Sequence, residues 1–162
     1  MFQGKKIVTI YSGEFYVSTD SNIVIFTLLG SCVAVCLYDE RTGIGGMNHF
    51  LLPQAKSNYL SDYGRFGLES MELMIGQFLK MGAVLVNLRA KVFGGARMFD
   101  YKNNSIYTDI ASENVNFIVN YLQEKRIPII AQDLGGTIGR KIYYELENHQ
   151  VFLQRLSVRS NS

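Results

Sequence analysis

A cysteine, a histidine and a threonine carry the chemistry this sequence offers. Cys32 follows Gly30-Ser31 at the break between two apolar runs, Ile23–Leu29 and Cys32–Tyr38. A sulfur at such a break can sit at the open end of a strand and meet a substrate. The nearest imidazole is His49, in Gly46-Met47-Asn48-His49-Phe50-Leu51-Leu52-Pro53, and Thr27 offers a hydroxyl. Thiol, imidazole and hydroxyl are the parts of a cysteine-nucleophile site, in which the thiolate attacks and the histidine moves protons. The same residue types also describe a small buried thiol, a strand-end histidine bonded to backbone and an ordinary strand threonine. What separates the two readings is how the surrounding elements position the three side chains.

The positioning elements are short strands. Lys5–Tyr11 and Glu14–Ser18 read as strands around Ser12-Gly13, and Ile23–Leu28 as a third with Thr27 near its end. Cys32–Tyr38 has the continuous apolar character of a strand buried on both faces. Asp39–Gly43 is a turn, and Gly45–Leu52 returns as a fifth strand. The last two strands predict a hairpin that brings Cys32 and His49 to the same end, because residues far from the turn are neighbours on antiparallel strands. Backbone N–H groups of Cys32 and of the Gly30-Ser31 turn are candidate donors to an oxyanion. Asn48 could orient a substrate amide, and a strand polar residue facing water explains it equally. Cys36 reads as packing.

Further along, Pro53–Gly64 is a polar loop. Leu68, Met71, Ile75, Phe78 and Leu79 recur at helical spacing, with Gly82 as the C-terminal cap and the methionines as core filling. Asn87–Phe93 is a strand, followed by Gly94-Gly95. Arg97–Ile110 reads as irregular. Ser112 is positioned to cap a second helix with Val115, Ile118, Val119 and Leu122 on its apolar stripe. Pro128–Gln132 is a strand, and Gly135–Gly139 a loop without the Lys-Ser/Thr of a phosphate loop. Tyr143–Leu146 and Val151–Leu156 form a hairpin around Asn148-His149, which makes His149 a turn residue. Nine strands and two helices give an α+β domain, helices packed on sheet.

Composition excludes several classes. The chain has 162 residues and a formal charge of +2, too small and dispersed for nucleic acid. Lys5-Lys6 and Arg140-Lys141 read as solvated pairs. The length suits one domain over 1–162, with 1–4 and 157–162 expected to fray. No stretch resembles a signal peptide or a membrane span, which predicts a cytoplasmic location without direct membrane insertion. Two cysteines four apart on one strand lie about 13 Å apart at ~3.3 Å per residue. That exceeds the ~7 Å a disulfide allows. Two cysteines and two distant histidines make no zinc pattern, so neither metal nor cofactor is expected.

The wording of the segments adds a resemblance. Leu29-Gly30-Ser31-Cys32-Val33-Ala34-Val35-Cys36-Leu37-Tyr38-Asp39 and Asn48-His49-Phe50-Leu51-Leu52-Pro53 resemble the signature of the CheD family, the chemoreceptor glutamine deamidases of bacterial chemotaxis. The resemblance continues through Ser70-Met71-Glu72-Leu73, Lys91-Val92-Phe93-Gly94-Gly95-Ala96, Ala131-Gln132-Asp133-Leu134-Gly135-Gly136 and Gly139-Arg140-Lys141. It implies a sandwich-like α+β fold shared with certain toxin deamidases, a glycine loop near the active site, and Thr27, Cys32 and His49 as the catalytic set. It also implies substrate glutamines on the cytoplasmic helices of chemoreceptors, and a CheC-type phosphatase as partner. One departure is the segment Tyr63–Glu69, longer than the family usually shows, which bears on receptor choice. Two alternatives use the same residues: an adaptor that regulates the phosphatase or receptor kinase, and a cysteine esterase acting on receptor methyl esters.

Overall fold

The computed structural model of the chain describes residues 2–51, 66–98 and 105–157, the side chains of 105–109 excepted. The expected loop over Pro53–Gly64, the start of the long segment at Tyr63 and the tail beyond Ser157 lie outside them. Nine strands are described: β1 (Lys6–Thr9), β2 (Phe15–Ser18), β3 (Ile23–Leu29), β4 (Val33–Asp39), β5 (Gly45–Phe50), β6 (Leu88–Gly94), β7 (Ile129–Leu134), β8 (Arg140–Glu145) and β9 (Gln150–Arg155). Two helices, α1 (Gly67–Lys80) and α2 (Ser105–Glu124), and a 3-10 turn at Leu85–Asn87 complete them.

The strands form two mixed sheets. One has the order β1-β3-β8-β9, the other β2-β5-β4-β6-β7. Side chains alternate across a strand, and the alternation sorts the central sheet's residues into two cores. Ala34, Cys36, Met47 and Phe93 meet Ile25, Leu29, Ile142 and Tyr144 between the sheets. Val33, Val35, Leu37, Phe50 and Val92 meet Met71, Met74, Phe78, Ile118 and Leu122 beneath the helices. The result is a sandwich of two sheets with both helices on the outer face of the five-stranded one. This layering explains why β4 and β5 are buried almost without alternation: each is covered on both sides.

The predicted hairpin is present. β4 and β5 pair antiparallel with Val33 opposite Phe50 and Ala34 opposite His49. Asp39 holds its turn, accepting from the N–H groups of Arg41, Thr42 and, across the fold, Val84. By contrast, β1 and β2 do not pair around Ser12-Gly13. β1 runs parallel to β3, β2 antiparallel to β5, and the turn between them crosses from one sheet to the other.

Several expectations shift. Leu68 and Leu79 face solvent, and Met74 takes the core position between Met71 and Phe78. Gly82 follows the end of α1 with φ of 103°, as a C-terminal glycine does. The second helix starts at Ser105, so Ser112 is not its cap and the last residues of the supposedly irregular Arg97–Ile110 are helical. Ser112 lies about two turns inside the helix, where its hydroxyl accepts from Arg97 Nη2 at 3.4 Å instead. Phe2, expected to fray, packs on the rings of Tyr143 and Phe152. Arg140 is 4% exposed, not solvated. His149 is a turn residue with φ of 59°, stacked on Tyr38 and hydrogen-bonded to the Tyr144 hydroxyl at 2.9 Å.

Candidate active site

The site is built where the chain passes between the sheets. β3 ends at Leu29 in the outer sheet, β4 begins at Val33 in the central one, and Gly30-Ser31-Cys32 is the crossing. Cys32 therefore lies one residue before its strand, not in it. It is partly buried against the inter-sheet core, on the side toward which Ala34 also points. His49 pairs with Ala34. Cys32 stands two residues before Ala34, just outside the paired register.

Thr27 and His49 form a buried pair. Thr27 is fully buried on β3, His49 is 5% exposed on β5, and Oγ1 lies 2.8 Å from Nδ1 across the gap between the sheets. The same hydroxyl is 2.7 Å from the carbonyl oxygen of Ile10. A hydroxyl has one proton, and a carbonyl can only accept. The Thr27 O–H therefore donates to Ile10, and its oxygen accepts from His49 Nδ1–H. This assigns the tautomer from the hydrogen-bond network: the proton is on Nδ1, and Nε2 keeps a lone pair. The backbone of His49 is tied as well, its N–H donating to Glu14 O at 3.1 Å and its carbonyl accepting from Gly13 N at 2.8 Å. Burial lowers the imidazole's pKa to about 4, so the ring is neutral at pH 7.

The crossing is held from behind by its carbonyls. Gly30 O accepts from Ala96 N at 3.0 Å, and Cys32 O from Gly95 N at 2.9 Å. Ser31 O accepts from Asn114 Nδ2, on α2, at 3.1 Å. No peptide here is cis. In a trans unit C=O and N–H point oppositely, so the N–H groups of Ser31, Cys32 and Val33 face away from these supports. Gly94 must be glycine: its φ is 116°, and a Cβ there would collide with the carbonyl oxygen of Cys32.

Asn48 is elsewhere. It is fully buried on the helix side of β5, opposite to His49. Its Oδ1 accepts from Val35 N at 2.9 Å and its Nδ2 reaches Ser70 Oγ at 3.0 Å and Met71 Sδ at 3.2 Å. The amide anchors α1 to the hairpin, so neither substrate contact nor solvation describes it. Cys36 is fully buried between the sheets, and burial pushes its thiol pKa far up, which makes it inert. Among the described residues no group of three or more His, Cys, Asp and Glu could hold a metal ion, and no helix is long and apolar enough to cross a membrane.

Sequence reasoning missed Ile10, Asn114, Asp133 and Arg140. The first acts through a carbonyl that any residue supplies, so no signal existed. The last two stand in segments quoted above for their wording, which assigned them no role.

The fold is a two-sheet α+β protein in which a threonine on one sheet holds a histidine on the other, with Cys32 in the crossing between the sheets. Residues 51–155 match the family model described as CheD chemotactic sensory transduction. The chain is also 43% identical over 145 residues to "Probable chemoreceptor glutamine deamidase CheD 1" of Ruegeria sp. (strain TM1040), covering 89% of this chain and 74% of the relative. It is 43% identical over 157 residues to "Probable chemoreceptor glutamine deamidase CheD 2" of Shewanella oneidensis, covering 93% and 77%. With the corresponding Geobacter sulfurreducens protein it shares 39% over 160 residues, covering 95% and 79%. The chain belongs to the CheD family.

Proposed function

We propose that this protein is a chemoreceptor glutamine deamidase that works through a thioester on Cys32. The observation that supports the reading is the Ile10–Thr27–His49 chain of hydrogen bonds, which leaves Nε2 of a neutral imidazole free of the threonine and suited to accept the proton of Cys32. The relatives' names supply the substrate.

His49 Nε2 takes the Cys32 proton, and the sulfur adds to the side-chain carbonyl carbon of glutamine. The C=O pair moves to oxygen, and the backbone N–H groups of Cys32 and of the Gly30-Ser31 turn are the donors that receive it. Gly30 and Ser31 thus act through backbone. As the carbonyl re-forms, the imidazolium gives its proton to the departing nitrogen, and ammonia leaves. Water, deprotonated by the same imidazole, then attacks the thioester; glutamate leaves and the thiol is restored. Glutamine and water become glutamate and ammonia, with no redox change and no cofactor called on. Thr27 retains Nδ1–H throughout and holds the ring to one orientation.

In this reading the protein acts in the cytoplasm on receptor helices, in chemotactic adaptation, and a CheC-type phosphatase binds it. The test is mass spectrometry of a receptor cytoplasmic fragment incubated with the protein. Conversion of glutamine to glutamate adds about one mass unit at named glutamines. Loss of a methylene from methyl-glutamate instead would make the protein an esterase, and an unchanged fragment would leave the adaptor role.

A further inference from the structure

The segments Gly94-Gly95, Asp133–Gly135 and Gly139-Arg140 converge on one side chain. Arg140 is buried. Its Nε donates to Asp133 Oδ1 at 2.8 Å, and its Nη2 lies 2.7 Å from the same oxygen. Nη2 also donates to Gly135 O at 2.8 Å, and Nη1 to Gly94 O at 3.3 Å. The other carboxylate oxygen of Asp133 pairs with Arg155. A buried guanidinium so engaged is no surface charge; its forked donors tie together the ends of β6 and β7.

What it ties matters for Cys32. Arg140 is the first residue of β8 and pairs with Leu29, the residue from which the crossing departs. Gly94, which its guanidinium holds, pairs with Val33, the residue on which the crossing lands. One residue thus grips both banks of the three-residue crossing that carries the nucleophile, by backbone on one sheet and by side chain on the other. The next residue on the far bank, Gly95, donates its N–H to Cys32 itself.

We propose that Arg140, oriented by Asp133, is a positioning residue for Cys32: it sets the span between the sheets and thereby the placement of the thiol against His49. The proposal rests on Cys32 and His49 acting together, as in the functional reading above. Lysine in its place keeps the charge but cannot make the forked contacts to Asp133, Gly94 and Gly135 at once.

The experiment is a double-mutant cycle on alkylation of Cys32 by iodoacetamide, resolved by site with mass spectrometry, in wild type, Arg140→Lys, His49→Ala and the double variant. Cys36, fully buried, serves as the integrity reporter, since it reacts only if the sandwich opens. Both single substitutions are expected to slow Cys32 with Cys36 protected, and the double variant to be no slower than the slower single. Multiplying effects, or Cys32 reacting at the wild-type rate in Arg140→Lys, would overturn the proposal. Should Arg140→Lys expose Cys36, Asp133→Asn takes its place with the same two outcomes. On receptor glutamine, Arg140→Lys is expected to lower kcat roughly 10- to 100-fold with KM within twofold, the cost of a misplaced reacting group; unchanged kcat would count against it. Because alkylation needs no receptor, a wild type that fails to deamidate would sink the functional reading alone, and the cycle would still decide the role of Arg140.

Discussion

His49 is neutral because it is buried, and that sets how the protein responds to acid. Its folded pKa of about 4 lies below the ordinary 6.5 of a histidine. Between these values the unfolded chain binds a proton that the folded chain refuses, so stability is full above pH 6.5 and falls as pH drops toward 4. A shift of this size corresponds to roughly 3 kcal/mol. Denaturant titrations of wild type and His49→Gln across pH 4 to 7 are expected to differ in slope, wild type losing more stability toward acid; parallel curves would mean that the imidazole is not buried as described. The same neutrality predicts activity with an acid limb whose midpoint lies near pH 4, since Nε2 must be unprotonated to accept from Cys32. The pairing of Thr27 with His49 was readable only as a possibility, because hydroxyl and imidazole lie 22 residues apart and the deciding partner, Ile10 O, has no side-chain signature.

At the level of elements, the β4–β5 hairpin was legible because two apolar runs flank a single polar turn. The parallel pairing of β1 with β3 was not, since it depends on which sheet each strand joins. Nor was the fate of Arg140-Lys141: a charged pair in sequence carries no address, and the partners of Arg140 come from β6 and β7. Asn48 teaches the same lesson with a consequence. As the buried link between hairpin and α1, it is expected to matter for stability and not for substrate affinity. Asn48→Ala leaves Val35 N–H and Ser70 Oγ without their partner, a loss of about 1–3 kcal/mol. Thermal unfolding together with KM of the folded fraction checks this; an undisturbed melting temperature with a raised KM would return Asn48 to the substrate.

For the molecule as a whole, the proposed site lies at the seam where Gly30-Ser31-Cys32 crosses between the two sheets, held by Gly95, Ala96 and Asn114. A glutamine presented on a receptor helix must lie across that seam, and a partner offering a similar helix would cover it. Added CheC-type protein is therefore expected to inhibit deamidation, while Cys32→Ala still binds that partner in titration. Undiminished activity at saturating partner would reject a shared surface. The layered α+β class followed from the strand and helix pattern. The assignment of helices to one outer face did not, because α1 and α2 show apolar stripes without saying which sheet they meet.

The most direct test of the account compares deamidation of a receptor fragment by wild type, Cys32→Ala and Cys36→Ala. Cys36→Ala removes a buried sulfur and is expected to cost on the order of 1 kcal/mol in stability with the chemistry intact. Cys32→Ala is expected to fold as wild type and to convert no glutamine. Conversion by Cys32→Ala at a rate comparable to wild type would contradict the account.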